Sequence, residues 1–268
     1  MKLNHISAAV ILSALTATAA LATEGADYAP IYLDKTAITL DAGYMMDIDG
    51  LTVDSLTGGS ISMSYVFNRT DKSAHSIGLT FGYFEGDDDG ELNDDTGIYE
   101  LPEMADAVAF RQITYSASEK LSQEILPIII TYKYHRNITD SISCYAGARA
   151  GVYITKSEAR RKSDYVELTG AVFGDSDPLI GVQTYSVKGY DSRTSVAPTF
   201  GLELGVEYQF AKNWSWHLDG SIDASFNVQR LKSLQEHSND GLYAVENPEK
   251  SKGTAVSATI RTGFSYQF

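Results

Sequence analysis

The stretch Val256-Ser257-Ala258-Thr259-Ile260-Arg261-Thr262-Gly263-Phe264-Ser265-Tyr266-Gln267-Phe268 decides the fold. On an extended chain Val256, Ala258, Ile260, Phe264, Tyr266 and Phe268 share one face, and only Thr262 interrupts that apolar row. Ser257, Thr259, Arg261, Gly263, Ser265 and Gln267 share the other. Side chains alternate across a strand, so such a segment suits a sheet that shows lipid on one side and a polar interior on the other. One segment of this kind is weak evidence; its recurrence along the chain is not.

Seven earlier segments alternate in the same way: Ile38–Tyr44, Ile61–Phe67, Ile77–Tyr83, Leu126–Tyr134, Ile142–Val152, Phe200–Phe210 and Trp214–Phe226. The connections between them are of two kinds. Asn68–Ala74, Arg136–Asp140 and Ala211–Asn213 are short, whereas Met45–Gly59, Phe84–Lys120, Lys156–Arg193 and Val228–Gly253 are longer, and the two kinds take turns. Short turns on one side and long loops on the other mark a membrane barrel, and a soluble sandwich has no reason for that regularity. The expected fold is an all-β, up-and-down antiparallel transmembrane β-barrel of eight strands. Strand-like stretches at Ala107–Tyr115 and Val166–Val187 either lengthen neighbouring strands beyond the membrane or raise the count to ten.

The N-terminus reads as an export signal over residues 1–22. Lys2 is followed by an apolar run, Ile6–Ala20, and then by the cleavage pattern Ala20-Leu21-Ala22. The run is shorter than the roughly 20 residues that a spanning helix needs. Residues 23–35 would form a periplasmic N-terminal segment and residues 36–268 the barrel. The formal net charge is −14, which argues against nucleic acid as a partner. Cys144 is the single cysteine, so no internal disulfide framework exists.

Aromatic residues crowd the short-turn end of the apolar faces: Tyr65, Phe67, Tyr132, Tyr134, Tyr208, Phe210, Trp214, Trp216, Tyr266 and Phe268. Rings with an apolar body and a polar tip suit the headgroup level, so these residues are expected to form a periplasmic girdle. On the alternation and on the terminal Tyr266-Gln267-Phe268, the chain resembles the small eight-stranded outer-membrane barrels, such as the membrane domain of outer-membrane protein A. The resemblance implies a bacterial outer-membrane location after export. It further implies contact with outer-membrane lipid and lipopolysaccharide, and recognition of the C-terminal strand by the barrel assembly machinery.

A barrel of eight strands is just wide enough for its own side chains to fill it. The polar faces carry Asp41, Glu203, Glu207, Asp219 and Asp223 against Lys133, Arg149 and Arg261, with His135 and His217 besides. Charges removed from water must be paired, so these residues are expected to form a salt-bridged plug. A selective pore or proton path is the rival reading.

Small barrels that are enzymes need a base beside a nucleophile near the outer rim. Of the five histidines only His237, in Glu236-His237-Ser238-Asn239, falls on the outer side with acid and hydroxyl neighbours, and adjacent side chains on an extended chain point apart. No catalytic residue is therefore assigned. The loop after the third strand is acidic, with Asp87, Asp88, Asp89, Glu91, Asp94, Asp95, Glu100, Glu103 and Asp106. It reads as a solvated surface, with calcium binding together with Asp47, Asp49 and Asp54 as the alternative. Lys156, Arg160, Arg161 and Lys162 stand where outer-leaflet headgroups would lie and are candidates for lipopolysaccharide phosphates. No cofactor or metal is expected. The function these features suggest is a non-enzymatic envelope barrel with a structural and surface-display role, adhesion included; a lipid- or peptide-modifying barrel enzyme and a narrow channel are the alternatives.

Overall fold

The computed structural model describes residues 36–70, 72–100, 107–173, 179–233 and 250–268. Eight antiparallel strands follow one another: β1 (Thr36–Asp49), β2 (Ser55–Arg69), β3 (Ser73–Glu100), β4 (Ala107–Asn137), β5 (Ile142–Phe173), β6 (Leu179–Ala211), β7 (Trp214–Leu231) and β8 (Lys250–Gln267). Each pairs with the next, and β8 returns to β1 from Ala37↔Gln267 to Asp49↔Val256, which closes the barrel. Closure leaves no open edge within the ring, the condition for a sheet to sit in hydrocarbon. The strand count is eight, and the two extra strand-like stretches belong to β4, β5 and β6.

Strand heights are unequal. β1, β2, β7 and β8 have 14, 15, 18 and 18 residues, whereas β3 to β6 have 28, 31, 32 and 33. The expectation of long loops at Phe84–Lys120 and Lys156–Arg193 is therefore corrected: most of both stretches is paired strand. The register runs unbroken from Asn137↔Ser143 to Ala107↔Phe173 and from Ile142↔Tyr208 to Ala171↔Leu179, so the backbone groups of these long excursions satisfy one another. A four-stranded wall thus rises on one side of the barrel.

The first long connection also differs. Strand pairing continues to Met46↔Ser55, and only residues 50–54 turn between β1 and β2. A bulge in β1 between Asp47 and Asp49 shifts the register just before this turn. Gly50, at φ 99°, then takes a conformation that L side chains rarely adopt. A second bulge lies in β7 between Ser225 and Val228, where Asn227 has a φ of 63°. The bulge in β7 reverses which parity faces inward, so Val228 is buried although simple alternation points it outward, and Val53 is buried within the turn itself.

Outside, Leu40, Met63, Phe81, Ile130, Leu202 and Ile222 are exposed and form an apolar band around the ring, while the interior at the same height is polar. A continuous exposed apolar band with a polar interior inverts a soluble protein and matches a barrel solvated by lipid tails. Below the band lie the aromatics of the short-turn end, with Trp214 against Tyr266 and Tyr266 against Phe268, both at 5.0 Å between ring centres. Tyr65, Phe67, Tyr132, Tyr134, Tyr208 and Phe210 are exposed at the same end, and Trp216 points outward beside them. The export signal and the N-terminal segment expected before Thr36 lie outside the described residues.

Candidate functional site

The lumen is built in three layers. The lowest, at the short-turn end, is a chamber of about 70 Å³ lined by Asp41, Lys133, His135, Glu207, His217 and Gln267 among others. Strand alternation places all of these inward. His217 Nε2 lies 2.6 Å from Asp41 Oδ1, and Ser60 donates to Asp41 Oδ2 at 3.0 Å. Ser215 donates to Glu207, and His135 Nε2 lies 2.9 Å from the Ser76 hydroxyl.

The second layer is a charge network. Arg261 donates from Nη2 to Glu203 Oε2 at 3.0 Å and from Nε to Asp219 Oδ1 at 2.9 Å. Lys133 Nζ lies 2.8 Å from Glu203 Oε1, so two cations from different strands grip one carboxylate. Arg149 lies 3.3 Å from Asp223 and donates to Ser221 at 2.5 Å. Two tyrosines complete the layer: Tyr145 donates to Asp219 at 3.2 Å and Tyr153 to Asp223 at 2.8 Å. All eight lumenal residues singled out in the sequence, Asp41, Lys133, Arg149, Glu203, Glu207, Asp219, Asp223 and Arg261, lie in these two layers. The tyrosines were legible only as members of the polar face; nothing in their sequence context marks them as donors to the network.

The third layer is apolar, a departure from the polar lumen that strand alternation predicts. Met45, Leu56, Phe84, Ile125, Ile129, Tyr153 and Val228 form a buried cluster above the charges, and Leu51 and Val53 of the β1–β2 turn drop into it. The turn is held from three sides. The Thr52 amide donates to Gln123 Oε1 at 2.9 Å, its hydroxyl donates to Ser157 Oγ at 3.0 Å, and the Leu231 amide donates to that hydroxyl at 3.4 Å. Asp47 Oδ1 accepts from the Leu51 amide at 3.1 Å, which fixes the entry to the turn. A turn expected to reach outward is thus the stopper of the barrel mouth. Burying its two apolar side chains favours the inward position, and the hydrogen bonds to Thr52 satisfy the backbone that follows them.

Above the stopper, Arg161 and Glu119 form a buried pair, Nε to Oε1 at 2.5 Å, and Arg161 Nη2 donates to the Lys232 carbonyl at 2.6 Å. This corrects the placement of Arg161 among the headgroup contacts: in β5 odd residues face inward here. Lys156, Arg160 and Lys162 face outward as expected, and each has a carboxylate within reach, Glu158 at 2.8 Å, Glu158 at 3.8 Å and Asp164 at 2.6 Å.

The acidic stretch Asp87–Glu100 is the upper part of β3, not a loop. The Asp54 amide donates to Asp88 Oδ2 at 2.7 Å, so the first turn does meet that strand. Burial and the charges of Asp54, Asp87 and Asp89 raise the Asp88 carboxyl. Among the described residues no group of three or more His, Cys, Asp or Glu side chains is placed to hold a metal ion. Glu103, Asp106 and His237 lie outside the described residues.

A closed ring of eight strands, an apolar outer band and a filled polar interior define a transmembrane β-barrel, with an apolar turn packed into its lumen among the described residues. No protein-family model matches the chain, and no curated protein sequence matches it. Solved structures with a similar ring include Neisserial surface protein A, 11% identical over 87% of this chain and 97% of that one, with a TM-score of 0.40. The attachment invasion locus protein of Yersinia pestis is 9% identical over 87% and 97%, with a TM-score of 0.31. The outer membrane protease OmpT from Escherichia coli is 14% identical over 92% and 100%, with a TM-score of 0.25. At such identities and TM-scores these likenesses say nothing about the activity of this chain.

Proposed function

We propose that this protein is a non-enzymatic barrel of the bacterial outer membrane whose lumen is closed and whose work is done by the wall that stands outside the bilayer. The observation that carries this reading is the stack of a charge network and an apolar stopper in one narrow lumen. A conducting path would have to break the Arg261, Glu203 and Asp219 contacts and also lift Leu51 and Val53 out of a buried cluster. Removing one partner from a buried ion pair costs about 3–5 kcal/mol, so an open state at equilibrium would be rare.

The role follows from where accessible groups remain. Among the described residues the wall of β3 to β6 extends farthest beyond the apolar band, which suits envelope structure and display toward a partner outside the cell, adhesion included. Planar-bilayer recording of the full chain tests the sealed lumen. The expected trace is a flat baseline with rare, brief openings; steady ohmic conductance would overturn the reading in favour of a channel.

A further inference from the structure

The chamber at the short-turn end holds more acid than base. Four carboxylates line it, Asp41, Glu203, Glu207 and Asp219, against two permanent cations, Lys133 and Arg261. Both cations are engaged: Lys133 Nζ lies 2.8 Å from Glu203, and Arg261 donates to Glu203 and Asp219. With the rings of His135 and His217 neutral, four against two leaves the lining at −2. The charged residues at the short turns, Arg69, Lys72, Arg136, Asp140 and Lys212, are not part of that lining.

The chamber also holds acceptors that nothing in the wall matches. His217 Nε2 lies 2.6 Å from Asp41 Oδ1, a distance that requires a shared hydrogen. The contact therefore assigns the N–H of a neutral ring to Nε2 and leaves Nδ1 as a lone-pair acceptor. Among the described residues His217 Nδ1 makes no hydrogen bond, and neither does Gln267 Oε1. Both side chains line the chamber, with His217 5% and Gln267 3% exposed. Buried acceptors are ordinarily paired, so two in one chamber mark a wall that a donor from outside would complete. The chamber can be reached: Lys133 points inward from β4, yet 26% of its side chain is accessible. The charge network and the stopper lie above, so entry is from the short-turn end.

These properties define the ligand. It is positive, rich in hydrogens to donate and poor in acceptors. Calcium and magnesium take oxygen ligands and make no bond to an imidazole nitrogen. No group of three or more His, Cys, Asp or Glu among the described residues is placed to hold a metal ion. An ammonium group carries three donors and no acceptor. About 70 Å³ is available, where one water needs about 10–15 Å³, so a chain of about six non-hydrogen atoms fits. Two charges on so short a chain balance the lining. We propose that the lower chamber binds a short aliphatic diammonium ion, drawn in by Asp41 and Glu207 and donating to His217 Nδ1 and Gln267 Oε1.

The test uses the full-length protein in phosphatidylcholine nanodiscs, with folding checked by a heat-modifiable gel shift. It is titrated at constant ionic strength with butane-1,4-diamine, and separately with the fully N-methylated bis-quaternary analogue, which has the same charge and no N–H. Calorimetry reads affinity, and nitrogen NMR of labelled histidine reads the His217 ring. Saturable binding of the diamine is expected, about tenfold or more tighter than the analogue, because charge-assisted hydrogen bonds are lost with the N–H groups. The Nδ1 signal should move as an acceptor nitrogen gaining a hydrogen bond. Asp41→Asn should weaken binding by about tenfold or more and Gln267→Leu by about threefold or more, while Asp88→Asn, beyond the stopper, should change nothing. If neither chamber variant folds, the comparison of the two ions on the parent chain decides alone. Equal binding of both ions, no saturable heat, unchanged affinity in a folded Asp41→Asn variant, or a ring protonated at both nitrogens with no amine bound would overturn the proposal.

Discussion

Arg261 of β8 reaches past β7 to Glu203 of β6, with Nη2 and Oε2 3.0 Å apart. The two strands are not neighbours, so this contact ties the barrel across its interior and not along its wall. Arg261 also holds Asp219 on the intervening strand, at 2.7 Å from Nη2.

Replacing Arg261 by Met should therefore lower stability by about 3–5 kcal/mol, since two buried carboxylates lose a cation. Arg261→Lys keeps the charge but loses the fork, and an intermediate loss is expected. Urea unfolding in lipid vesicles, followed through Trp214 and Trp216, measures both. A Met variant as stable as the parent would remove the network from the account of stability.

Thr52→Ala removes a hydroxyl that donates to Ser157 and accepts from the Leu231 amide. A loss of about 1–3 kcal/mol is expected, because buried partners are left unmatched. Val53→Asp goes further and places a charge in an apolar cluster, which should expel the turn. Single-channel traces should then gain frequent openings while the gel shift still reports a folded barrel. Silence in the bilayer would mean that the charge layer seals the lumen unaided.

Gly201 faces the interior, where an added Cβ would lie 2.0 Å from Asp223 Oδ1 and 2.5 Å from the Ile222 carbonyl. Gly201→Ala should push Asp223 away from Arg149 and reduce refolding yield, read as the fraction of heat-modifiable protein. Normal yield would imply that β6 and β7 can part at little cost.

How much of this was legible depended on parity. Wherever β-strands alternate without a break, as in β8, the lipid-facing and lumenal side chains were readable one by one, and Arg261, Asp219 and Glu203 fell on the inner face by counting alone. Counting failed at the bulges. Nothing local to Ser225–Val228 announces an extra residue, so the burial of Val228 does not follow from counting, and Val53 lies in a turn, where strand parity says nothing. The polar composition of Asp87–Glu100 suggested a loop, but pairing with β4 outweighed the weak strand propensity of its acidic residues. Arg161 is hidden for a related reason: the charged composition of Lys156–Lys162 resembles a loop, yet the stretch is strand, and its alternation separates buried Arg161 from exposed Arg160.

The uneven strand lengths give this molecule a front and a back. From Ile154 to Phe173, β5 runs twenty residues, on the order of 60 Å of chain at about 3.3 Å per residue. The wall rises on one flank only, since β1 and β8 on the other flank have 14 and 18 residues. Seen from outside the cell, the barrel is a signpost with a single board: copies free to rotate in the membrane would sample every heading, and any partner that grips the board would fix which way the rest of the molecule faces.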